Sequence, residues 1–346
     1  MGRALRWGVI GSGGIARRRT IPEGILKAAN AELVAVYSRD LENNAAVARE
    51  FDCRAAASVP ELLRSGIDAV YMASPPGAHL EQVRACAQAG IHVFCEKPLG
   101  LTVTEAEAML AACRQAGVQL GTAFMMRFSA QHQTAAALVR EGRLGTLVLG
   151  RAQLSCWYPP IEGAWRQHPQ TGGGGSLIDM GGHCIDLLEM FLGPVESVSC
   201  LLQRRVHDYP VEDSAVVSLR FRGGALGMVD AFFCIPDDAS RNRLELYGTK
   251  GNVLAEGTIG QEALGTMVAT LTPDTQGYDA RQAREPVQST PIDPPPVNTY
   301  RTEIEAFGDA ILRGIDPEPS GEAGLHSQRV LAACYQSAAT GRLIQV

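Results

Sequence analysis

Residues 5–16 read LRWGVIGSGGIA, and this stretch decides the fold predicted for the first part of the chain. Leu5–Ile10 is a mainly apolar run, typical of a strand buried on both faces. The next residues fit G-x-G-x-x-A, in which small residues let the backbone turn tightly and approach a pyrophosphate at a helix N-terminus. An ordinary strand–turn–helix junction is the alternative. We expect dinucleotide contacts from Gly11, Ser12, Gly13, Gly14 and Ile15.

Apolar runs and amphipathic helical patterns alternate through the first third of the chain. The further runs are Leu33–Tyr37, Ala69–Ala73, Ile91–Cys95 and Val118–Thr122. Alternation at this spacing indicates right-handed βαβ units. We therefore predict an α/β protein whose first domain, residues 1–123, is a Rossmann-type, doubly wound parallel sheet.

Strand patterns dominate residues 124–346, where Ser176–Phe191 is the one strong helical pattern among them. Such a series predicts an α+β domain on a mixed or antiparallel sheet with helices on one face. Helical patterns at Thr299–Arg313 and Glu322–Ala339 close the chain. The sequence leaves open whether these last helices pack back on the first domain.

Composition and charge exclude several classes of partner. The 346 residues carry 31 basic and 37 acidic side chains, a formal net charge of -6, and no run of five basic residues. This disfavours nucleic acid and anionic membranes. No stretch of 18 apolar residues occurs, and the N-terminus leads directly into a strand, so we expect no membrane span and no targeting peptide. Nine cysteines without a C-x-x-C pair favour reduced thiols in a cytoplasmic protein.

The end of the second predicted strand bears on the choice of cofactor. Ser38 and Arg39 stand there, and a hydroxyl beside a positive charge suits the 2′-phosphate of NADP. An acidic residue at the same place would bind the ribose hydroxyls of NAD. Asp40 lies one residue further, so NAD remains an alternative cofactor. A second alternative is that Arg39 is a solvated surface residue without a role in binding. We predict NADP in preference to NAD.

The loop after the run Ala69–Ala73 offers further cofactor contacts, from Ala73, Ser74, Pro75 and Pro76. Its prolines stop the strand at the carboxyl edge of the sheet, where doubly wound folds bind ligands. His79 follows, either as a contact to ribose or backbone or as a cap of the next helix.

Glu96-Lys97-Pro98 ends the run Ile91–Cys95. Pro98 favours an extended Lys97, so the ammonium can point toward a bound cofactor and polarise a hydroxyl or carbonyl oxygen. Glu96 then sets the charge state of Lys97 or meets the cofactor. A surface ion pair is the alternative reading of this tripeptide.

Asp179 and His183 are four residues apart on one helical face, after the four-glycine run 172–175. A carboxylate beside an imidazole orients a general base and tunes it toward neutral pH. Gly181 and Gly182 lie inside the same helix, where each destabilises it relative to alanine, so we expect a nicotinamide ring or substrate to approach closely. The glycines of the run 172–175 are expected to face the same ring. Asp186 and Glu189 are expected to face solvent or to cap. Zinc would need a third ligand at sensible spacing, and we predict no metal.

Aromatic residues precede the glycine run at Trp157-Tyr158 and Trp165-Arg166. Flat rings beside a cation suit a polyhydroxylated ring with one apolar face. Core or subunit-interface packing is the alternative for Trp157 and Tyr158. Arg127 is a candidate brace near the domain junction.

Together these motifs resemble the glucose–fructose oxidoreductase, inositol dehydrogenase and rhizopine-catabolism (Gfo/Idh/MocA) family of NAD(P)-dependent oxidoreductases. The resemblance covers the whole chain, and it includes a segment around Tyr300 that lies near the cofactor in some members. It implies catalysis by Lys97, Asp179 and His183, a Lys97–Pro98 bond that is often cis, and a large open second sheet that often mediates oligomerisation. The nearest branch by motif is the anhydrofructose reductases, from which Ala123 departs.

The residues and the resemblance lead to one hypothesis: reversible hydride transfer between a nicotinamide and a carbinol carbon of a sugar, sugar derivative or cyclitol. The expected cofactor contacts then include Glu96, Lys97, Trp165, Arg166 and Tyr300, and the substrate contacts Lys97, Tyr158, Trp165, Arg166, Asp179 and His183. A homodimer or homotetramer is expected. A redox-neutral glycoside-processing enzyme with permanently bound NAD(H) and a non-catalytic cofactor sensor remain as alternatives.

Overall fold

The structure is a computed structural model and describes residues 3–262, 265–272, 280 and 287–346. The chain divides into two compact units, each assembled from three stretches. The first unit comprises Met1–Met125, Glu162–Gly174 and Asn298–Ala332. The second comprises Met126–Ile161, Gly175–Val297 and Ala333–Val346.

A six-stranded parallel sheet in the order β3-β2-β1-β4-β5-β6 forms the centre of the first unit. Its strands are β1 (Leu5–Ile10), β2 (Ala31–Tyr37), β3 (Arg54–Ala55), β4 (Ala69–Met72), β5 (His92–Glu96) and β6 (Leu120–Ala123). The predicted doubly wound parallel sheet is thereby confirmed. Its strand order reverses between β1 and β4, and the carboxyl ends of these two strands therefore flank a crevice.

Nine α-helices occur in the described chain: α1 (Leu41–Glu50), α2 (Val59–Leu63), α3 (His79–Gln88), α4 (Val103–Ala116), α5 (Ala130–Arg140), α6 (Pro169–Gly172), α7 (Gly182–Leu192), α8 (Thr299–Arg313) and α9 (Gly321–Thr340). Two π-helical segments, Ala16–Ile25 and Leu177–Gly181, stand beside them. Several helices begin where a side chain accepts a backbone N–H, as Ser58 does for α2 and Thr102 for α4. Within the described ranges, no helix is both long and apolar enough to cross a membrane.

The core on one face of the parallel sheet receives residues from near the C-terminus. Phe307 of α8 stacks on Phe94 of β5, with ring centroids 4.8 Å apart, and lies 5.7 Å from the ring of Trp7. A Cβ at Gly121 would come within 2.7 Å of the Phe307 ring, so the strand beside β5 needs a glycine there. Helix α8 also packs on the π-helix Ala16–Ile25 and completes this core.

A nine-stranded sheet in the order β14-β13-β12-β11-β7-β10-β9-β8-β15 organises the second unit. Its strands are β7 (Leu147–Ser155), β8 (Val195–Gln203), β9 (Ser214–Phe221), β10 (Leu226–Phe232), β11 (Arg243–Gly248), β12 (Gly251–Glu256), β13 (Thr266–Leu271), β14 (Thr290–Pro291) and β15 (Ile344–Gln345). All pairs are antiparallel except β7 with β10, which confirms the predicted mixed sheet.

Helix α7 covers one face of this second sheet. A Cβ at Gly150 of β7 would lie 2.6 Å from Leu192 and 3.0 Å from Leu188, so the helix and the strand meet closely there. The opposite face alternates apolar and charged side chains and stays exposed, as the alternating burial of β9 and β10 shows.

Candidate active site

The glycine loop passes directly against the loop that follows β4. Gly11 has φ +86°, and a Cβ there would lie 2.5 Å from the backbone of Ala73 and Ser74. Only glycine combines that conformation with so close an approach. The amides of Gly11 and Ser12 donate to the carbonyl of Tyr37, at 2.8 and 3.3 Å, and this ties the turn to the end of β2.

A groove of about 570 Å³ opens at the carboxyl ends of β1, β2 and β4. Residues of the first unit line it: Ile10, Gly11, Gly13, Gly14, Tyr37, Ser38, Arg39, Asp40, Asn43, Ala73, Ser74, Pro75, Ala78, Gln82 and Trp165. A glycine turn at the start of a helix lets a pyrophosphate approach the backbone closely, as dinucleotide binding requires. These residues therefore fit a dinucleotide.

Ser12 and Ile15, two of the predicted cofactor contacts, are not among the residues that line this groove. The Ser12 side chain is buried and donates to Asn44 Oδ1 at 2.9 Å, so its hydroxyl ties the loop to α1. Ile15 precedes the π-helix Ala16–Ile25 as its N-cap residue. What remains available at Ser12 for a ligand is therefore its backbone.

Both candidate 2′-phosphate residues, Ser38 and Arg39, line the groove at the end of β2. Ser38 Oγ donates to the carbonyl of Asp40 at 2.9 Å. The Asp40 carboxylate accepts the amide of Asn43 at 3.0 Å and caps α1. The Asp40 carboxylate thus caps α1, and both Arg39 and Asp40 are exposed at this end of the groove.

The loop after β4 contributes Ala73, Ser74 and Pro75 to the groove, whereas Pro76 is buried in a 3₁₀ turn. His79 does not cap the next helix; its fully buried ring lies 2.7 Å from the carbonyl of Ser74 and 2.9 Å from that of Leu99. Burial lowers the pKa of His79. The histidine therefore links the loop after β4 to the loop after β5 by hydrogen bonds, and it is not among the residues that line the groove.

Glu96 ends β5 in a buried hydrogen-bond chain. The hydroxyl of Tyr71 donates to Glu96 Oε1 and accepts from Thr20 Oγ1, the latter at 2.9 Å. Burial raises the pKa of Glu96, against the Tyr71 hydrogen bond and the positive charges of Lys97 and Arg166. Glu96 is therefore held by Tyr71, with the positive charge of Lys97 close by. The Lys97–Pro98 bond is cis, as the resemblance implied.

Trp165 and Arg166 form a 3₁₀ turn in the first unit, with the guanidinium carbon 4.3 Å from the Trp165 ring centroid. A Cβ at Gly172 would lie 3.0 Å from the carbonyl of Trp165 and 3.1 Å from Cα of Arg166. The backbone of this turn therefore already requires a glycine at position 172, and the approach of a ligand ring there stays a prediction.

Tyr300 lies on α8 with 2% of its surface exposed and is not among the residues that line the groove. Burial raises the pKa of its phenol, and the nearby carboxyls of Glu303 and Glu96 add to this effect. Ala123, where the chain departs from the anhydrofructose reductases, pairs with Glu96 across β6 and β5 and is buried.

In the second unit, Asp179 lies in the π-helix Leu177–Gly181 and His183 in the first turn of α7, both half-buried. The predicted helix is present, but its first turn is π-helical, a form frequent at functional sites. A Cβ at Gly181 would meet Leu177 at 2.9 Å and Ala231 of β10 at 3.7 Å. Gly181 therefore packs tightly against Leu177 of its own π-helix, and the approach of a ligand ring to this glycine stays a prediction.

Glu212 is a positioning residue that sequence reasoning missed. Its Oε1 accepts the amides of Gly175 at 2.9 Å and Leu177 at 3.1 Å, and the hydroxyl of Tyr335 at 2.8 Å. A Cβ at Gly175 would lie 1.9 Å from the Glu212 carbonyl, which explains this glycine of the run 172–175. Glu212 therefore fixes the start of the segment that carries Asp179 and His183.

Asp186 corrects another expectation, because its side chain is buried instead of facing solvent. Arg127 donates to both its oxygens, with Nε at 3.0 and 2.9 Å and Nη2 at 2.7 Å. Glu189 accepts the amide of Val195 at 2.8 Å, as a capping group does.

Tyr158 packs its ring 4.9 Å from that of Phe233, in a small cluster with Tyr209 and Val211. The neighbouring Trp157 keeps 44% of its surface exposed, and its ring meets His207 edge-on at 4.8 Å. Core packing therefore accounts for the Tyr158 ring more readily than for Trp157.

Comparison with known proteins agrees with this architecture. Residues 5–124 match the oxidoreductase family with an NAD-binding Rossmann fold, and residues 132–254 match the GFO/IDH/MocA C-terminal domain. A 1,5-anhydro-D-fructose reductase from Ensifer adhaerens is 33% identical over 346 residues, covering 99% of this chain and 98% of the relative. D-xylose 1-dehydrogenase (NADP(+)) 2 from Haloferax volcanii is 31% identical over 99% of this chain and 100% of its own.

Among solved structures, aldose-aldose oxidoreductase from Caulobacter crescentus superposes with a TM-score of 0.88 at 26% identity, covering 99% of this chain and 100% of the other. Both halves of the chain and its full-length relatives thus agree. The chain belongs to the Gfo/Idh/MocA family of NAD(P)-dependent oxidoreductases.

Proposed function

We propose that the protein transfers a hydride reversibly between a nicotinamide dinucleotide and a carbinol carbon of a sugar, sugar derivative or cyclitol. The observation that carries this proposal is the placement of two features on one sheet edge. The side-chain-free turn of the groove follows β1, and the Glu96–Lys97 pair ends β5 of the same parallel sheet. The names of the full-length relatives, a reductase and a dehydrogenase of sugars, support the substrate class.

Three side chains have distinct roles in this proposal. In the oxidation direction, His183 accepts the hydroxyl proton, Asp179 orients His183 and stabilises its charged form, and Lys97 stabilises negative charge that develops on the substrate oxygen. Reduction uses the same roles in reverse. The nicotinamide, when bound, supplies or accepts the hydride.

NADP is the preferred cofactor in this proposal. Ser38 and Arg39 line the groove at the end of β2, and the carboxylate of Asp40 is held by α1. An exposed guanidinium suits a phosphate on the ribose better than two ribose hydroxyls. The Haloferax volcanii relative is named for NADP(+), which supports the same choice.

A homo-oligomer, formed through the exposed face of the second sheet, completes the proposal. Leu201, Leu226 and Met228 stand on that face with 73%, 54% and 43% of their surfaces exposed. An apolar face of this extent is typical of an interface between subunits. A Met228→Glu variant should shift the protein from dimer or tetramer to monomer in analytical ultracentrifugation, and an unchanged mass would contradict this interface.

Activity is tested by following NADPH and NADH oxidation against a panel of keto-sugars, and NADP⁺ and NAD⁺ reduction against aldoses and cyclitols. Lys97→Ala and His183→Ala should lower kcat by about 10²- to 10⁴-fold while cofactor affinity stays nearly unchanged. Unchanged turnover in both variants would reject these roles. Protein that purifies with cofactor attached and shows no net redox change would instead favour the redox-neutral enzyme.

A further inference from the structure

Glu303 on α8 is a buried carboxyl group that the proposed mechanism does not use. Only 1% of its surface is exposed, and neither side-chain oxygen has a hydrogen-bond partner among the described residues. Burial of a carboxylate in that condition is costly, and such a group in a native fold needs an explanation.

The packing of α8 on the sheet places Glu303 beside the end of β5. Phe307 of α8 stacks on Phe94 of β5. Glu303 lies one helical turn before Phe307, on the same face of the helix, and Glu96 lies two residues after Phe94, on the same face of the sheet. Tyr71, whose hydroxyl donates to Glu96, pairs with Phe94 in the neighbouring strand. Two carboxyl groups therefore share one buried space beside a phenol.

The titratable and charged groups around this space come from five elements. Glu96 faces Glu303 from β5 and Tyr71 faces it from β4, while Tyr300 belongs to α8 itself. Arg19 and Glu23 of the π-helix Ala16–Ile25 form an ion pair at 2.7 Å near Tyr300. The charges of Lys97 and Arg166 act on Glu96.

The environments of the two carboxyl groups differ in one respect that decides where a proton resides. Glu96 accepts a hydrogen bond from Tyr71 and lies near two positive charges, and both favour its ionised form. Glu303 has neither, and both its burial and the charge of Glu96 raise its pKa well above the usual range. Two like charges so close in a buried site do not both persist.

We propose that Glu96 and Glu303 form a carboxyl pair that holds one proton, which Glu303 carries while Glu96 stays ionised beside Lys97. The pair then presents a single negative charge to Lys97. When Glu96 cannot ionise, its repulsion is gone and Glu303 ionises more readily. The consequence for turnover rests on the proposed function, whereas the shared proton is a property of the fold and is measured without any substrate.

The proton is detected directly by difference infrared spectroscopy of the purified full-length protein at neutral pH. We expect a buried, protonated carboxyl C=O band in the wild type that disappears in Glu303→Gln and persists in Glu305→Gln. Glu305 is the matched control because it lies on the same helix and accepts the amide of Ala29 at 3.0 Å. In Glu96→Gln the band should weaken, because Glu303 ionises more readily once the repulsion of Glu96 is gone. A wild type without the band overturns the proposal.

Kinetics give the second measurement. Glu303→Gln should keep kcat within about twofold, and Glu96→Gln should lower kcat about tenfold. In the double variant no negative charge remains, so its kcat should be about tenfold lower than the two single effects multiplied together predict. Additive effects, or a tenfold loss in folded Glu303→Gln alone, overturn the assignment. Glu303→Met, which fills the space without a polar atom, should behave like Glu303→Gln in both backgrounds; a loss confined to Glu303→Gln also contradicts the pair. If no sugar is turned over but the infrared pattern holds, the proposed function fails and the shared proton stands.

Discussion

Arg127 and Asp186 form a buried, bidentate ion pair in the second unit. The Asp186 side chain is 3% exposed and that of Arg127 is 15% exposed, and three N–O distances lie between 2.7 and 3.0 Å. Asp186 belongs to α7, one turn beyond His183. The guanidinium therefore holds the helix that carries the proposed general base, from the segment just before α5.

Removal of one partner of this pair should be strongly destabilising, because a buried charge is left uncompensated. Asp186→Ala should lower the free energy of unfolding by about 3 to 5 kcal/mol, measured by denaturant titration. The double variant Arg127→Met/Asp186→Leu should recover most of that loss. A single variant with wild-type stability would show that the ion pair contributes little.

Glu212 should matter to both stability and turnover. Glu212→Ala removes the acceptor of two amides and of the Tyr335 hydroxyl, which we expect to cost about 1 to 3 kcal/mol and to lower kcat. Tyr335→Phe removes only one of these hydrogen bonds and is the graded control, with a smaller loss. Equal losses in the two variants would contradict a role for the two amide contacts.

Gly175 tolerates no side chain, because a Cβ would stand 1.9 Å from the carbonyl oxygen of Glu212. Gly175→Ala should therefore destabilise the protein by at least about 2 kcal/mol, seen as a lower melting temperature. Gly260 is the matched control, since nothing lies within 4 Å of a Cβ there. Gly260→Ala should stay within about 0.5 kcal/mol of the wild type, and similar melting temperatures for both variants would argue against the clash.

The pH dependence of stability should change when Glu303 is made neutral. Burial and Glu96 raise the pKa of Glu303 in the folded protein, so between its unfolded and folded pKa the native state binds the extra proton. In that window stability falls as pH rises, by up to about 1.4 kcal/mol per pH unit from this group. Glu303→Gln lacks this pH-dependent contribution to the free energy of unfolding.

Urea unfolding at several values between pH 5 and pH 8 measures the difference. The advantage of Glu303→Gln over the wild type should be smallest at pH 5 and grow with pH, whereas Glu305→Gln controls for an amide at a neighbouring position. A constant difference across the range would mean that Glu303 ionises normally in the folded state.

Arg39 should discriminate between the two cofactors. Arg39→Ala should lower kcat/KM for NADPH by about 10- to 100-fold, the loss of a charged hydrogen bond of about 1.5 to 3 kcal/mol, and leave NADH within about twofold. Arg313→Ala, on an exposed helix end, is the control. A wild type that strongly prefers NADH would refute the role given to Arg39.

The parallel sheet was predictable because each central strand is a continuous apolar run between helical patterns. The observed strand ends differ by one or two residues, as for His92–Glu96 against the predicted Ile91–Cys95. β3 was missed because Arg54–Ala55 is a two-residue, exposed edge strand without an apolar run. Edge pairing of that kind depends on the neighbouring strand and leaves little trace in local composition.

The site was only partly predictable. Asp186 lies three residues after His183, on the same helical face, so helical periodicity already placed it inward. Glu303 likewise lies on the buried stripe of α8 with Tyr300 and Phe307. Their partners could not be inferred, since Arg127 is 59 residues from Asp186 in sequence.

For two glycines, a ligand was predicted where contacts within the protein already require a glycine. Gly172 and Gly175 were given to a ligand, although the backbones of Trp165–Arg166 and of Glu212 require them. The tight turn at Gly11 is confirmed by its φ of +86°, and it was predictable because a strand–turn–helix junction is local in sequence. Close approach between distant backbones has no signature in composition or spacing.

The contribution of α8 to the first unit has a consequence for the order in which the chain folds. A nascent chain that ends at Met125 already contains all six parallel strands, yet it lacks Phe307 and Ile304, which belong to the core over one face of them. That face stays exposed until more than half of the chain has followed. Contacts this distant in sequence slow folding and leave apolar surface open during synthesis. The parallel sheet is therefore made before the second unit, and its core is completed only after most of that unit has followed.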